Sequence, residues 1–255
     1  MGKIVELSWS ALALCAILLL WETCCRLIPI PNYVLPTPLA IAQLMVERSG
    51  VLIKHGLVTL REILLGFAIA TTCGVLLGIA IAQSRFVERA LLPLLVASQS
   101  VPTIALAPIL IIWFGPTDVA RLAVVFIISF FPIVVSTISG LKQVNIEFID
   151  LVRGLGVGPV RLLLKIKLPA ALPQIFTGMR ISIVLAVIGA VVGEFVASTQ
   201  GLGYLIFTSA ANLEVTLMFS AVVLLAVFGI TLYQTLALAQ WIAIPWAPGT
   251  REMAR

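Results

Sequence analysis

Apolar residues in this chain fall into long runs separated by short polar stretches. A helix needs ~20 consecutive apolar residues to cross a hydrocarbon core of ~30 Å. Runs of that order predict about six spans, at 8–28, 57–82, 90–114, 119–141, 174–197 and 215–244. The alternating segments of ~10 residues that mark a membrane β-barrel are absent. Pro102 and Pro108 interrupt the third run. Proline inside a membrane helix frees backbone carbonyls, so such breaks lie against protein or water. Ahead of the second run, Thr37 followed by Pro38 predicts a helix start continuing to Val46. Ser84-Arg85-Phe86-Val87-Glu88-Arg89 is expected to form a short loop, and Gly115-Pro116-Thr117-Asp118 a tight turn. Gly66, Gly74 and Gly78 share the second run at spacings that let helices approach closely. The fold class is therefore an all-α polytopic membrane protein, and residues 1–255 are expected to form one transmembrane domain.

Composition agrees with the pattern. Of 255 residues, 61% are hydrophobic and 11% charged, with a mean hydropathy of +1.18. Soluble domains carry about 25% charged residues. The net charge of +5 sits in short stretches between apolar runs, so it sets orientation and does not point to nucleic acid. With the N-terminus inside, the inner side holds Lys3, Arg85, Arg89, Lys142, Arg153, Arg161, Lys165, Lys167, Arg251 and Arg255. The outer side holds Arg26, Arg48 and Lys54, and the outer loop 198–214 has no Lys or Arg. An N-in, C-in topology follows. Lys3 and the apolar stretch after it imitate a signal peptide, but Trp21-Glu22-Thr23 follows in place of a small-residue cleavage site. The segment reads as a retained first span. Cys15, Cys24, Cys25 and Cys73 lie in or beside apolar runs without metal-site spacing, and read as small helix fillers.

Enzyme chemistry has little to stand on. The chain has no Gly-Lys-Ser/Thr phosphate loop, since Gly2-Lys3 is followed by Ile4. The single histidine, His55, cannot form a His-x-x-x-His metal site and is expected at the mouth of the second span. Asp118 sits at a turn and Asp150 in a polar island, so no carboxylate pair lies within the membrane there. No catalytic residue, metal site or cofactor is expected in this chain.

That polar island, about 142–170, is the most informative segment. It runs from Lys142 through Glu147, Asp150, Arg153, Gly154 and Gly156 to Ile166-Lys167-Leu168-Pro169. A short helix over 147–155 would stop at Gly154, Gly156 and Gly158; a second would begin at Pro159 and end before Pro169. A helix–turn–helix at the membrane face has the shape of a docking element for a soluble partner; a basic loop that only sets topology is the plainer reading. Glu194, in the apolar fifth run, leaves two readings open, a residue of a transport path or a hydrogen-bonded packing carboxylate. Gln99 and Ser100, ahead of Pro102, are candidates for the same path.

The island resembles the cytoplasmic motif Glu-Ala-Ala-x3-Gly-x9-Ile-x-Leu-Pro of importer permeases driven by separate ATPase subunits. Here it stands as Asp150-Leu151-Val152, Gly156, Ile166 and Leu168-Pro169, with Asp for Glu and Leu-Val for Ala-Ala. Trp21-Glu22, Leu35-Pro36-Thr37-Pro38, the segment Val101-Pro102 to Ala107-Pro108 with Trp113-Phe114-Gly115, and Gly201-Leu202-Gly203-Tyr204 are similar to the nitrate, sulfonate and taurine branch. The resemblance implies a type I ABC importer permease of the bacterial inner membrane. It implies two permease copies forming the path, as a homodimer, and two ATPase subunits binding ATP and Mg and gripping the segment from Glu147 through Gly156. It also implies a periplasmic substrate-binding protein. The solute would be a small organic compound such as a sulfonate, taurine, nitrate or a vitamin precursor. The competing reading is a self-sufficient secondary transporter or channel, which would not account for the Gly156–Pro169 spacing.

Overall fold

The structure is a computed structural model that describes residues 2–28, 31 and 34–246, apart from the side chains of 2–8, 10 and 11. Lys3, Arg251 and Arg255, counted above for topology, lie outside the described residues or side chains. The described elements are all helical. In order they are α1 (Gly2–Leu27), α2 (Pro38–Glu47), α3 (Ser49–Gln83), α4 (Arg85–Ser98), a 3-10 turn (Thr103–Leu106), α5 (Ala107–Phe114) and α6 (Asp118–Lys142). Then come α7 (Ile146–Gly154), α8 (Pro159–Leu162), a π turn (Leu163–Lys167), α9 (Leu168–Ala197), α10 (Leu202–Ala211) and α11 (Val215–Ala243).

Among the described residues, α3, α6, the continuous helix Pro159–Ala197 and α11 are long and apolar enough to cross a membrane. α4 and the segment Thr103–Phe114 pass the same test together, as a pair bent by 87°. α1 overlies the first expected span. Two expectations need correction. The loop at 84–89 shrinks to Ser84, whose hydroxyl caps α4, so Arg85 and Arg89 lie on that helix. The helix beginning at Pro159 does not end before Pro169; it continues through the π turn into α9. Proline removes one donor and crowds the carbonyl four residues back, and a π turn already shifts that ladder.

The described residues divide into two compact units. One contains Thr59–Ser198 and the residues from Val227 onward. Its centre is α3, α6 and α9, packed around Ile63, Ala70, Val125, Ile133, Ile183 and Ala186. Gly66, Gly74 and Gly78 of α3 face Val125, Ile133 and Thr137 of α6, as the spacing predicts. A Cβ at Gly78 would lie 2.6 Å from Thr137 Cβ, and one at Gly178 would lie 2.5 Å from Ser136 Cβ. Without a hydrophobic drive between helices in lipid, such close backbone approach supplies the packing energy. α4 packs on Val134 and Ile138 of α6 through Leu91, Leu92 and Leu95. α5 packs through Ala107 and Leu110 on Val124 and Ile128, nearer the other end of α6.

The second unit holds the residues up to Val58 and Thr199–Ala226. Thr37 caps α2 by accepting the Ala40 N–H at 3.1 Å, as Thr37-Pro38 predicts. Glu22 accepts from Arg26 and from the Leu39 N–H, fixing α1 against the start of α2. His55 Nδ1 accepts the Gly201 N–H at 3.0 Å and its ring stacks on Tyr204 at 6.0 Å. This holds the sharp turn before α10, where Gly201 has φ +107°.

Candidate coupling surface and translocation path

The polar island forms a compact module. Asn145 Oδ1 accepts the Glu147 N–H at 2.9 Å and starts α7. At the other end Gly156 takes φ +81°, its N–H bonds Arg153 O at 2.9 Å, and the Val157 N–H bonds Val152 O at 3.3 Å. These paired bonds form a Schellman cap, with Val157 packing in the cluster that buries Val152. Ile149, Val152 and Leu162 are buried together, flanked by Val144 and Ile166. Leu168 packs instead on the core formed by Leu141, Ala171 and Ile175, and Pro169 lies in the first turn of α9.

The motif residues therefore divide by task. Val152 and Ile166 pack within the module, Leu168 packs on the core of α6 and α9, and Pro169 lies in the first turn of α9. Glu147, Asp150, Leu151 and Gly154 are exposed, and beside them Ile146, Phe148 and Leu155 are exposed apolar side chains. An acidic and apolar face on a fixed helix is a surface suited to a partner. The exposed Asp150–Arg153 pair, at 3.7 Å, adds little to stability. Lys142 at the end of α6 pairs with Glu88 of α4, tying that helix to the same membrane face.

The break between α4 and α5 carries Gln99, Ser100 and Pro102, all exposed. α4 reaches Val134 while α5 reaches Ile128, so the break lies beside the middle of the 25-residue α6. Non-helical backbone at membrane depth is tolerated only against protein or a watered cavity. These three residues are thus placed where a path could run. Glu194 is elsewhere, only 1% exposed, and accepts from the Thr59 hydroxyl at 2.6 Å. That geometry suits the packing alternative.

Sequence reasoning passed over two groups. Arg121 Nε donates to Glu62 Oε1 at 2.6 Å, Nη1 to the Ala197 carbonyl at 3.1 Å and Nη2 to Asp118 at 2.5 Å. This ties α3, α6 and α9 at one end. The second is Arg180, inside α9. Both carried a usable signal, since a charge within an apolar span is costly and needs a reason. Among the described residues no cluster of His, Cys, Asp or Glu could hold a metal.

Helices crossing a bilayer, one of them broken at mid-depth, above a rigid extramembrane helix pair define the class of a membrane transport subunit. Residues 74–241 match the binding-protein-dependent transport system inner membrane component family. The chain is 38% identical over 217 residues to a probable ABC transporter permease of Haemophilus influenzae, covering 85% of this chain and 89% of that one. It is 36% identical over 231 residues to the formylaminopyrimidine transport permease of Halalkalibacterium halodurans, covering 90% and 92%. It is 31% identical over 215 residues to a putative aliphatic sulfonates transport permease of Bacillus subtilis, covering 84% and 78%. The fold is similar to a chain of the MetNI methionine ABC transporter in an inward-facing conformation, with a TM-score of 0.60, 18% identity and coverage of 74% of this chain and 98% of that one. The chain belongs to the binding-protein-dependent permease family. It is the inner-membrane permease component of an ABC importer, a transport subunit and not an enzyme.

Proposed function

We propose that two copies of this chain form the translocation path of an ATP-driven importer, and that α7 transmits ATPase motion to the spans. The observation that carries the coupling role is the build of the island. An acidic, apolar face at Ile146–Leu155 is exposed, while the opposite face is fixed through Val152, Ile166 and Leu168 to the helices that cross the membrane. A pull on such a helix moves the spans and is not absorbed by a loop. Two ATPase subunits hold ATP and Mg, and a periplasmic binding protein delivers the solute. Gln99, Ser100 and Pro102 lie on the path, and Glu194 supports the helices beside it. The coupling acts through different affinities of the ATPase for the two permease states, because equal affinity shifts nothing. The solute is a small organic compound of the range carried by the relatives, from a pyrimidine to a sulfonate.

The test is gentle detergent extraction of the tagged chain from native membranes, with mass spectrometry of what accompanies it. An ATPase subunit recovered with the wild type and lost with Asp150→Lys supports the reading. Undiminished recovery and ATPase stimulation with Asp150→Lys would remove α7 from the interface.

A further inference from the structure

Among the described residues, Arg180 is a cation within a membrane helix that makes no ion pair. Arg180 lies on α9, whose neighbour Gly178 abuts Ser136 and the Pro132 carbonyl of α6. That contact sets Arg180 level with the middle of α6, and about 18 Å along its own helix from Leu168. Its Nε and Nη2 atoms are buried, with no hydrogen-bond partner. The guanidinium carbon lies over the Tyr233 ring, 5.7 Å from its centroid. A ring face attracts the cation but accepts none of its in-plane hydrogen bonds. Thr71 and Ser182 also carry buried hydroxyls without partners. Thr71 is one turn from Gly74, which packs on Ile133 of α6 at that same depth.

Among the described residues, the acids of α3, α4, α6, α7 and α9 are placed elsewhere. Glu62 is committed to Arg121 and Glu194 to Thr59, and Gly193, beside Glu194, packs at Arg121 near the far end of α6. That end is about 20 Å along α9 from Arg180. Glu88 serves Lys142 at the opposite end of α6, and Glu147 and Asp150 lie beyond it on α7. Lipid phosphates sit at the membrane surfaces, away from the middle of α6. A charge at this depth is expensive and makes Arg180 a candidate functional residue. At the same depth the α4–α5 break exposes Gln99 and Ser100.

We infer that Arg180 is the anion-recognising residue of the translocation path, binding the oxygens of a small sulfonate, carboxylate or nitrate through its planar fork. This rests on the permease reading above and narrows the solute to an oxyanion. Arginine suits that task because its donors match a pair of anion oxygens, while lysine offers a point charge.

The test uses the assembled permease–ATPase complex in nanodiscs, with methanesulfonate, taurine, acetate and nitrate as probes and riboflavin as a neutral control. Ligand-dependent thermal shifts are read for wild type, Arg180→Gln and Arg180→Lys. At least one oxyanion should bind the wild type, bind at least tenfold more weakly to Arg180→Gln, and bind Arg180→Lys with intermediate strength. Absence of any oxyanion shift in the wild type overturns the assignment. So does equal binding by Arg180→Gln. Basal ATP hydrolysis of each complex is measured alongside, so that failure of assembly, which would count against the permease–ATPase reading, is told apart from loss of anion binding alone.

Discussion

Replacing Gly156 with alanine isolates the contribution of backbone shape to the coupling module. A Cβ at this position meets nothing within 4 Å, so no side-chain clash enters. What remains is the backbone: at φ +81° a non-glycine residue costs about 1–2 kcal/mol. The energy can be relieved only by giving up the cap, meaning the bonds from Gly156 to Arg153 and from Val157 to Val152. A cost of that size multiplies the uncapped population by roughly 5–30-fold. Gly154→Ala is the matched control. It has the same open space but lies within α7, where alanine is favoured over glycine by about 0.8–1.0 kcal/mol. One chemical change, made two residues apart, should therefore act in opposite directions. Hydrogen exchange of the 146–157 peptide should speed up in Gly156→Ala and slow in Gly154→Ala. Solute-stimulated ATP hydrolysis by the assembled complex should fall in Gly156→Ala. Gly156→Asn should fall between, because Asn enters the left-handed region more easily. Exchange in Gly156→Ala at the wild-type rate would show that the left-handed turn does not hold the cap.

Three further perturbations test the fold that carries the module. Arg121→Ala leaves Glu62 buried without its cation and should cost about 3–5 kcal/mol in thermal unfolding, with Arg121→Lys losing less. Gly178→Ala places a Cβ 2.5 Å from Ser136 Cβ and 2.9 Å from the Pro132 carbonyl. It should destabilise by about 1–3 kcal/mol, while Gly50→Ala, with open space, should not. His55→Ala removes the acceptor of the Gly201 N–H and should cost about 1 kcal/mol locally, read as faster exchange over residues 199–205.

The spans were legible because lipid imposes one long, simple rule on sequence, and α6 and α11 lie within a residue of where the apolar runs place them. Pro159 and Gly156 announced the limits of the island's helices by local chemistry, since first-turn prolines and left-handed turns need few residue types. The continuation through Pro169 was not legible. It runs through a π turn, and Leu163 and Leu168 there pack on a core that includes Leu141 of α6. Nor did spacing reveal which motif residues face outward. Val152 and Leu151 are neighbours of similar character, yet one is 8% and the other 62% exposed. Arg121, Glu62 and Arg180 show the same limit. Each was visible as a charge in an apolar run, but the Arg121–Glu62 pair joins residues 59 positions apart, and buried Arg180 nitrogens have no hydrogen-bond partner among the described residues.

The proposed function has transport through this chain driven by a separate ATPase. Its most direct measurement is solute uptake into proteoliposomes holding the permease alone or with its co-purified ATPase and binding protein. Uptake that requires the ATPase and ATP, and that is lost with Asp150→Lys, is the predicted result. Uptake by the permease alone, without nucleotide, would contradict it and establish a secondary transporter or channel.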